Sequence, residues 1–293
     1  MPVPGVSIFG LLPENEGMGY LSGNAILPIK TYAALRKIWQ EARTRLNPGA
    51  GSPVPIPGVP EILDIPAGHE AHLRDVQASP RFPKTVGTLP WEFKLVEIGP
   101  LLAFQYHVQT DRANQLWLDS GGTTDIAALL RLCLPVGVNE IQPGSGCDAN
   151  PDPSNSEERG RVSFDSDNLN MRILAGGNVG MDGAKIFWAG IGFGEATRLV
   201  QVARFGGRCY LKNGYHRCYR MRAEGVTHLP CIVQDVNAIA ETGVRADGTT
   251  FNRRFMQSAN PPVCGHYDKG YALTLRSPKR SIELTWSQTV RFV

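Results

Sequence analysis

Residues 204–233, RFGGRCYLKNGYHRCYRMRAEGVTHLPCIV, constrain the fold of this chain more than any other stretch. They read as strand, turn, strand, short helix, strand. Gly214 stands where the second strand turns into the helix, and His216-Arg217 follow it. Backbone N–H groups at a helix start point outward, carry partial positive charge and attract anions. A glycine there lets a ligand approach the backbone closely. Arg217 adds a fork of donors matched to phosphate. The segment therefore predicts a strand over 208–212, a helix over 215–224 and a strand of the same sheet over 229–234. Gly214 opens the helix and Gly225 lies just past its end. Gly214, His216 and Arg217 together form a candidate phosphate-binding corner.

The rest of the chain can supply a core around this segment. Of 293 residues, 42% are hydrophobic and only 19% charged, which excludes a chain that is disordered throughout. Gly 32 and Pro 22 imply many turns, long loops and few long helices. The net charge of +3 does not by itself argue for a nucleic-acid partner. Its distribution says more. Residues 204–224 carry Arg204, Arg208, Lys212, Arg217, Arg220 and Arg222 against Glu224, residues 251–293 are also basic, and 140–167 lean acidic. A positive face near the corner would attract phosphate.

No run of eighteen apolar residues occurs, so no membrane span is expected. The opening MPVPGVSIFGLLPENEG lacks basic residues before its short apolar piece and does not read as a signal peptide. Six cysteines without dense regular spacing suggest reduced thiols, and a cytoplasmic location is the expectation.

Residues 1–30 read as irregular and Gly/Pro-rich. A helix is expected over 31–46, TYAALRKIWQEARTRL, capped by Thr31 and stopped by Asn47-Pro48-Gly49, with Leu35, Ile38, Trp39 and Leu46 near helical spacing. Residues 47–60, NPGAGSPVPIPGVP, are linker-like. The expected organisation is thus an N-terminal segment, 1–60, irregular with one helix and a Pro-rich linker. An α+β domain follows over 61–293, with an insertion at about 110–200. Within it, 91–108 read as β segments around Gly99-Pro100. A helix covers 122–134 with Leu129, Leu130 and Leu132 buried. Residues 142–160, QPGSGCDANPDPSNSEERG, form a polar loop expected to be mobile. Gly-broken apolar runs over 161–204 favour strands. Neither GGNVGMDG nor GIGFGE has the spacing of a Walker or dinucleotide loop. Residues 234–262 read as loop and short helix, and 271–276 and 281–293 as strands.

Segment 208–233 resembles the ParB and sulfiredoxin-like nucleotide-binding superfamily. Its members share the order strand, G-x-x-R, helix, G, strand, with a small-residue-to-Pro step before the last strand. Here these are Tyr210-Leu211, Gly214-Tyr215-His216-Arg217, Gly225 and Leu229-Pro230. Upstream, LVEIGPLLAFQ (95–105) is similar to the first strand and turn of that core. The resemblance implies an α+β fold with a small mixed sheet and short helices, carrying a long insertion. It also implies that Gly214, His216 and Arg217 hold nucleotide phosphates. Sulfiredoxins place a reactive Cys before the His-Arg pair; this chain has Tyr215, so sulfinate repair is not expected. DNA-partition members show G-E-R-R and a downstream helix-turn-helix domain, for which 234–293 are too short and strand-rich.

The functional expectation is a nucleotide- and phosphate-binding protein with phosphoryl chemistry, either NTP hydrolysis or phosphotransfer. His216 would bind phosphate or shuttle a proton. Asp235, just after the last core strand, is the first choice among the carboxylates that such chemistry needs, and Mg²⁺ is its cofactor. One alternative is a nucleic-acid-binding protein or nuclease of a mobile-element or phage-defence system, the same basic corner holding backbone phosphate. Another is a non-catalytic interaction protein. Cys209, Cys218, His228, Cys231, Cys264 and His266 lack CxxC spacing, so buried free thiols are preferred to a zinc site.

Overall fold

The computed structural model describes residues 2–46, 58–79, 82–136, 148–151, 159–166, 171–182, 186–195, 199–244, 251–276 and 280–287. In chain order the strands are β1 (Pro2–Ser7), β2 (Ile62–Asp64), β3 (Trp91–Glu97), β4 (Leu102–Ala103), β5 (His107–Gln109), β6 (Asp148–Pro151), β7 (Arg159–Ser166), β8 (Met171–Asp182), β9 (Ile186–Glu195), β10 (Gln201–Phe205), β11 (Arg208–Leu211), β12 (His228–Asp235), β13 (Tyr271–Arg276) and β14 (Arg280–Ser287). The helices are α1 (Glu14–Asn24), α2 (Tyr32–Leu46), α3 (Glu70–Ala78), α4 (Phe82–Val86), α5 (Thr110–Asp119), α6 (Ile126–Cys133), α7 (Tyr215–Ala223) and α8 (Arg253–Met256). The architecture is mixed α+β, with short helices and mixed sheets.

The chain divides into two units, one of Met1–Gly137 with Thr197–Arg276, the other of Val138–Ala196 with Ser277–Val293. The first unit holds a six-stranded sheet of order β2-β3-β12-β10-β11-β4 and a three-stranded sheet of order β13-β1-β5. In the second unit β14, β7 and β6 pair antiparallel, as do β8 and β9.

Residues 208–233 fold as their pattern predicts. β10 and β11 form a hairpin over Gly206-Gly207, both at positive φ, and α7 leads to β12, which lies parallel to β10. Leu229 through Gln234 are buried without a break, as a central strand covered on both faces requires. α6 packs against β12, and Leu129, Leu130 and Leu132 are buried as expected.

The N-terminal region departs from its expected irregularity. Residues 2–7 form β1, between β13 and β5, and residues 14–24 form α1. Pro2 and Pro4 argue against a central strand, yet β5 pairs only with Gly5–Ser7, so the prolines fall where β1 has a partner on one side alone. A Cβ on Gly5 would stand 2.6 Å from Leu275 Cδ1 and 2.8 Å from the Val108 carbonyl oxygen, so glycine permits this close three-strand approach. Residues 2–46 thereby fall in the same unit as Thr197–Arg276, and that unit runs across the expected boundary at residue 60. α2 buries Leu35, Trp39, Ala42 and Leu46, and Trp39 Nε1 donates to the Leu12 carbonyl at 3.0 Å. The linker reading of 47–57 lies outside the described residues.

The insertion also begins later than 110. α5 packs on α7 and α6 on β12, so both helices belong to the first unit, and the second starts at Val138. The polar loop contains strand: β6 pairs with β7. The rest of that loop, 142–147 and 152–158, lies outside the described residues. β14 takes up 280–287 of the expected C-terminal strand, and 288–293 lie outside the description.

Candidate functional site

The turn Lys212-Asn213-Gly214 delivers the chain from β11 into α7. Gly214 is the residue before the first helical turn and has φ 104, a left-handed conformation that glycine adopts without cost. A Cβ there would also meet Val200 Cγ2 at 3.0 Å. Tyr215, the first helical residue, fixes the turn. Its hydroxyl donates to the Leu211 carbonyl at 2.6 Å and accepts the Phe104 N–H at 3.3 Å. Burial of the ring pushes the Tyr215 phenol well above its usual range, so it stays a neutral donor.

His216 is partly buried, and its Nε2 is shielded from solvent without a hydrogen-bond partner among the described residues. Asn213 Oδ1, three residues earlier on the same turn, is in the same condition. The His216 pKa is pushed down to about 3, first by burial and then by the charges of Arg112, His107 and Arg217. Those three groups come from β5, α5 and α7. His107 is tied in turn to α1, its Nδ1 lying 2.9 Å from the Tyr20 hydroxyl. That hydroxyl lies 3.2 Å from Ser7 Oγ, which donates to the Tyr106 carbonyl at 2.7 Å. Burial lowers the His107 pKa as well. The corner is thus a set of cationic and neutral donor groups around a helix N-terminus, resting on a buried polar network. Such a set suits an anion.

The structure brings Gly214, His216 and Arg217 together on one turn, but the Arg217 side chain, expected to offer its fork of donors to phosphate, is buried. It is only 6% exposed, and its charge bears on the buried thiols of Cys133 and Cys218 as well as on His216.

Asp235 does not join the corner. It pairs with Arg204, Oδ1 to Nε at 2.5 Å and Oδ2 to Nη2 at 2.7 Å, and this contact holds its carboxyl below the usual range. Asp235 is level with Arg204 of β10, whereas Gly214 abuts Val200, the residue just before β10 and four before Arg204. At about 3.3 Å per residue that is roughly 13 Å. Asp235 thus lies beside the C-terminal end of β10, whereas the Gly214 turn lies at its N-terminal end.

Much of the basic character of 204–224 is spent internally. Arg204 binds Asp235, Arg220 binds Glu224 and Arg222 binds Asp268, while Arg208 donates to the Met256 and Ser258 carbonyls. Cys133, Cys209, Cys218, Cys231 and Cys264 are buried free thiols. His266 Nδ1 accepts the Val263 N–H at 3.1 Å, so that ring closes a backbone turn. Among the described residues no three His, Cys, Asp or Glu side chains cluster in a way that could hold a metal ion. No described helix is long and apolar enough to cross a membrane.

Residues 204–233 alone do not reveal Asn213, His107 and Arg112 as site residues. His107 lies two residues beyond the upstream stretch 95–105, and extending that stretch by one turn would have included it. Arg112 carries no local signal; only the packing of α5 on α7 brings it near. No family profile, curated protein or solved structure matches the chain.

Proposed function

We propose that this protein binds the phosphate group of a small ligand at the N-terminus of α7. The observation that carries this reading is His216. Its Nε2 is shielded and unpartnered among the described residues, and Arg112 and Arg217 charge its surroundings. A buried polar atom without a partner costs roughly 1–3 kcal/mol, so a ligand oxygen at this point recovers free energy that the free protein lacks. The N–H groups of the first helical turn, which have no acceptor within the helix, add donors. The local order of strand, glycine turn, helix and strand, the basis of the resemblance to ParB and sulfiredoxin-like proteins, supports a phosphate at this place.

We infer binding in preference to turnover. The carboxylate that phosphoryl chemistry would draw on, Asp235, is held by Arg204 at the other end of β10. The corner's own groups are cationic or neutral, so they do not fit a protein-held Mg²⁺; any Mg²⁺ would arrive on the phosphates of the ligand.

The test is calorimetric titration of the full chain with inorganic pyrophosphate, with thermal unfolding in parallel. Saturating pyrophosphate at a hundred times its Kd should stabilise the fold by about 2.7 kcal/mol. His216→Ala should weaken binding at least tenfold while the protein stays folded. Absence of binding at millimolar pyrophosphate, or undiminished binding by a folded His216→Ala, sinks the reading.

A further inference from the structure

A cleft of about 230 Å³ lies in the first unit, lined by Phe104, Lys212, Thr242, Gly243 and Phe251. The phosphate reading uses none of these side chains, and Thr242, Gly243 and Phe251 lie outside the segment 208–233.

Its apolar surface comes from two half-buried rings. Phe104 and Phe251 stand 6.0 Å apart at 81°. Tyr210 stacks on Phe104 at 6.1 Å and Tyr106 on Phe251 at 4.5 Å, so the protein holds both rings from behind. Rings already fixed lose little freedom when a third ring joins them. Gly243 has φ 100, and a Cβ there would lie 3.5 Å from Phe104 Cε2. Glycine therefore keeps the space beside that ring open.

Most donors around the rings are already used. The N–H of Phe104 donates to the Tyr215 hydroxyl, that of Lys212 to the Gln201 carbonyl and that of Gly243 to the Ala240 carbonyl. Thr242 is fully buried, and its hydroxyl donates to the Ile239 carbonyl at 2.6 Å and accepts the Val244 N–H at 3.3 Å. A heterocycle rich in ring N–H and C=O groups would give up water here without enough replacement partners, and each stranded group would cost affinity. A hydrocarbon ring has no such groups to strand. The one charged side chain of the lining is Lys212, whose ammonium makes no ion pair among the described residues. Its charge disfavours a cation between the rings and offers a point contact for an anion.

We propose that this cleft binds a small aromatic carboxylic acid. Its ring packs on Phe104 and Phe251, in the offset or edge contacts that aromatic rings prefer, and its carboxylate meets the Lys212 ammonium. The volume lies below the roughly 300–1,000 Å³ of sites that enclose a drug-sized ligand, which limits the occupant to one ring. This site is separate from the anion corner of α7 and stands whether or not that corner binds phosphate.

The experiment titrates benzoate, phenylacetate and hydrocinnamate into the full chain at one salt concentration, followed by ligand-observed NMR. At least one should bind with a Kd below about 1 mM. Its counterpart with a saturated cyclohexane ring, and its counterpart with an alcohol in place of the acid, should each bind at least threefold weaker. Lys212→Gln should erase the preference for acid over alcohol, and Phe251→Leu the preference for the aromatic over the saturated ring. Should either variant fail to fold, the two comparisons on the unaltered protein decide. Saturating pyrophosphate should change the affinity of the acid less than threefold. Weaker binding by all three acids, or equal affinity for the acid, the alcohol and the saturated ring, overturns the site. Displacement of the acid by pyrophosphate also overturns it, because the carboxylate would then belong to the α7 corner.

Discussion

The Tyr215 hydroxyl sits between the Leu211 carbonyl, 2.6 Å away, and the Phe104 N–H, 3.3 Å away, and so joins the glycine turn to the residue just past β4. Both contacts are shielded from solvent, since the Tyr215 ring is buried. One side chain therefore sets the entry of α7 and the place of Phe104 at once.

Tyr215→Phe keeps the ring and removes only this link. It leaves a buried carbonyl and a partly buried N–H without their partner. The expected loss is about 1–3 kcal/mol of unfolding free energy, the usual cost of stranding such groups. Urea denaturation followed by circular dichroism measures it. A change below about 0.5 kcal/mol would show that the hydroxyl is not a structural link.

Gly214→Ala tests the turn by a different route. The φ of 104 strains any L-residue, and the added Cβ would stand 3.0 Å from Val200 Cγ2. A loss of about 1–3 kcal/mol is expected from the conformation, with a further part from the contact. Adding Val200→Ala should recover only the contact part, because the backbone strain remains. Full recovery in the double variant would mean that the left-handed conformation costs nothing here.

The local elements around this turn were legible in the sequence, whereas the residues that meet there were legible only in part. Gly214 and Gly225 mark the ends of α7 because both carry positive φ, a condition with a direct sequence signature. β1 was hidden because Pro2 and Pro4 mask a strand whose partners, β13 and β5, lie some hundred residues or more away. Asp235 ends the last core strand, yet strand direction decides which end of the sheet's strands it occupies, and direction follows from pairing with β10. Arg112 and His107 reach His216 through the docking of α5 and β5, which no local pattern encodes.

Acid should unfold this protein from about pH 6.5 downward. The His216 pKa is lowered from 6.5 to about 3 and that of His266 to about 4, both mainly by burial, and that of His107 is lowered too. The folded state keeps these rings neutral while the unfolded chain protonates them near 6.5. Their contribution is therefore complete above pH 6.5 and is lost as pH falls from there toward 4 and 3. Each such group steepens the decline by up to about 1.4 kcal/mol per pH unit. Denaturation midpoints at constant ionic strength should fall between pH 7 and 5, and His216→Gln should flatten the fall. Sulfate, whose charge does not change in that range, should bind more tightly as pH drops, because an anion favours the protonated ring. A flat midpoint, or sulfate affinity independent of pH, would contradict the placement of His216 in an anion corner.

Asp235→Asn separates the corner from the C-terminal end of β12. The pair with Arg204 is half exposed, the two side chains retaining 56% and 45% of their accessible surface. Exposed pairs of this kind contribute about 0–1 kcal/mol, so unfolding free energy should change by less than about 1 kcal/mol. Pyrophosphate affinity should stay within twofold of the unaltered protein, because some 13 Å of β10 lies between the levels of Asp235 and Gly214. Arg112→Ala, in contrast, removes a charge that acts on His216 and should weaken pyrophosphate at least tenfold. Should Asp235→Asn abolish binding while Arg112→Ala leaves it intact, the anion site belongs at the C-terminal end of β12, and the His216 corner is a structural feature of the α5–α7 contact.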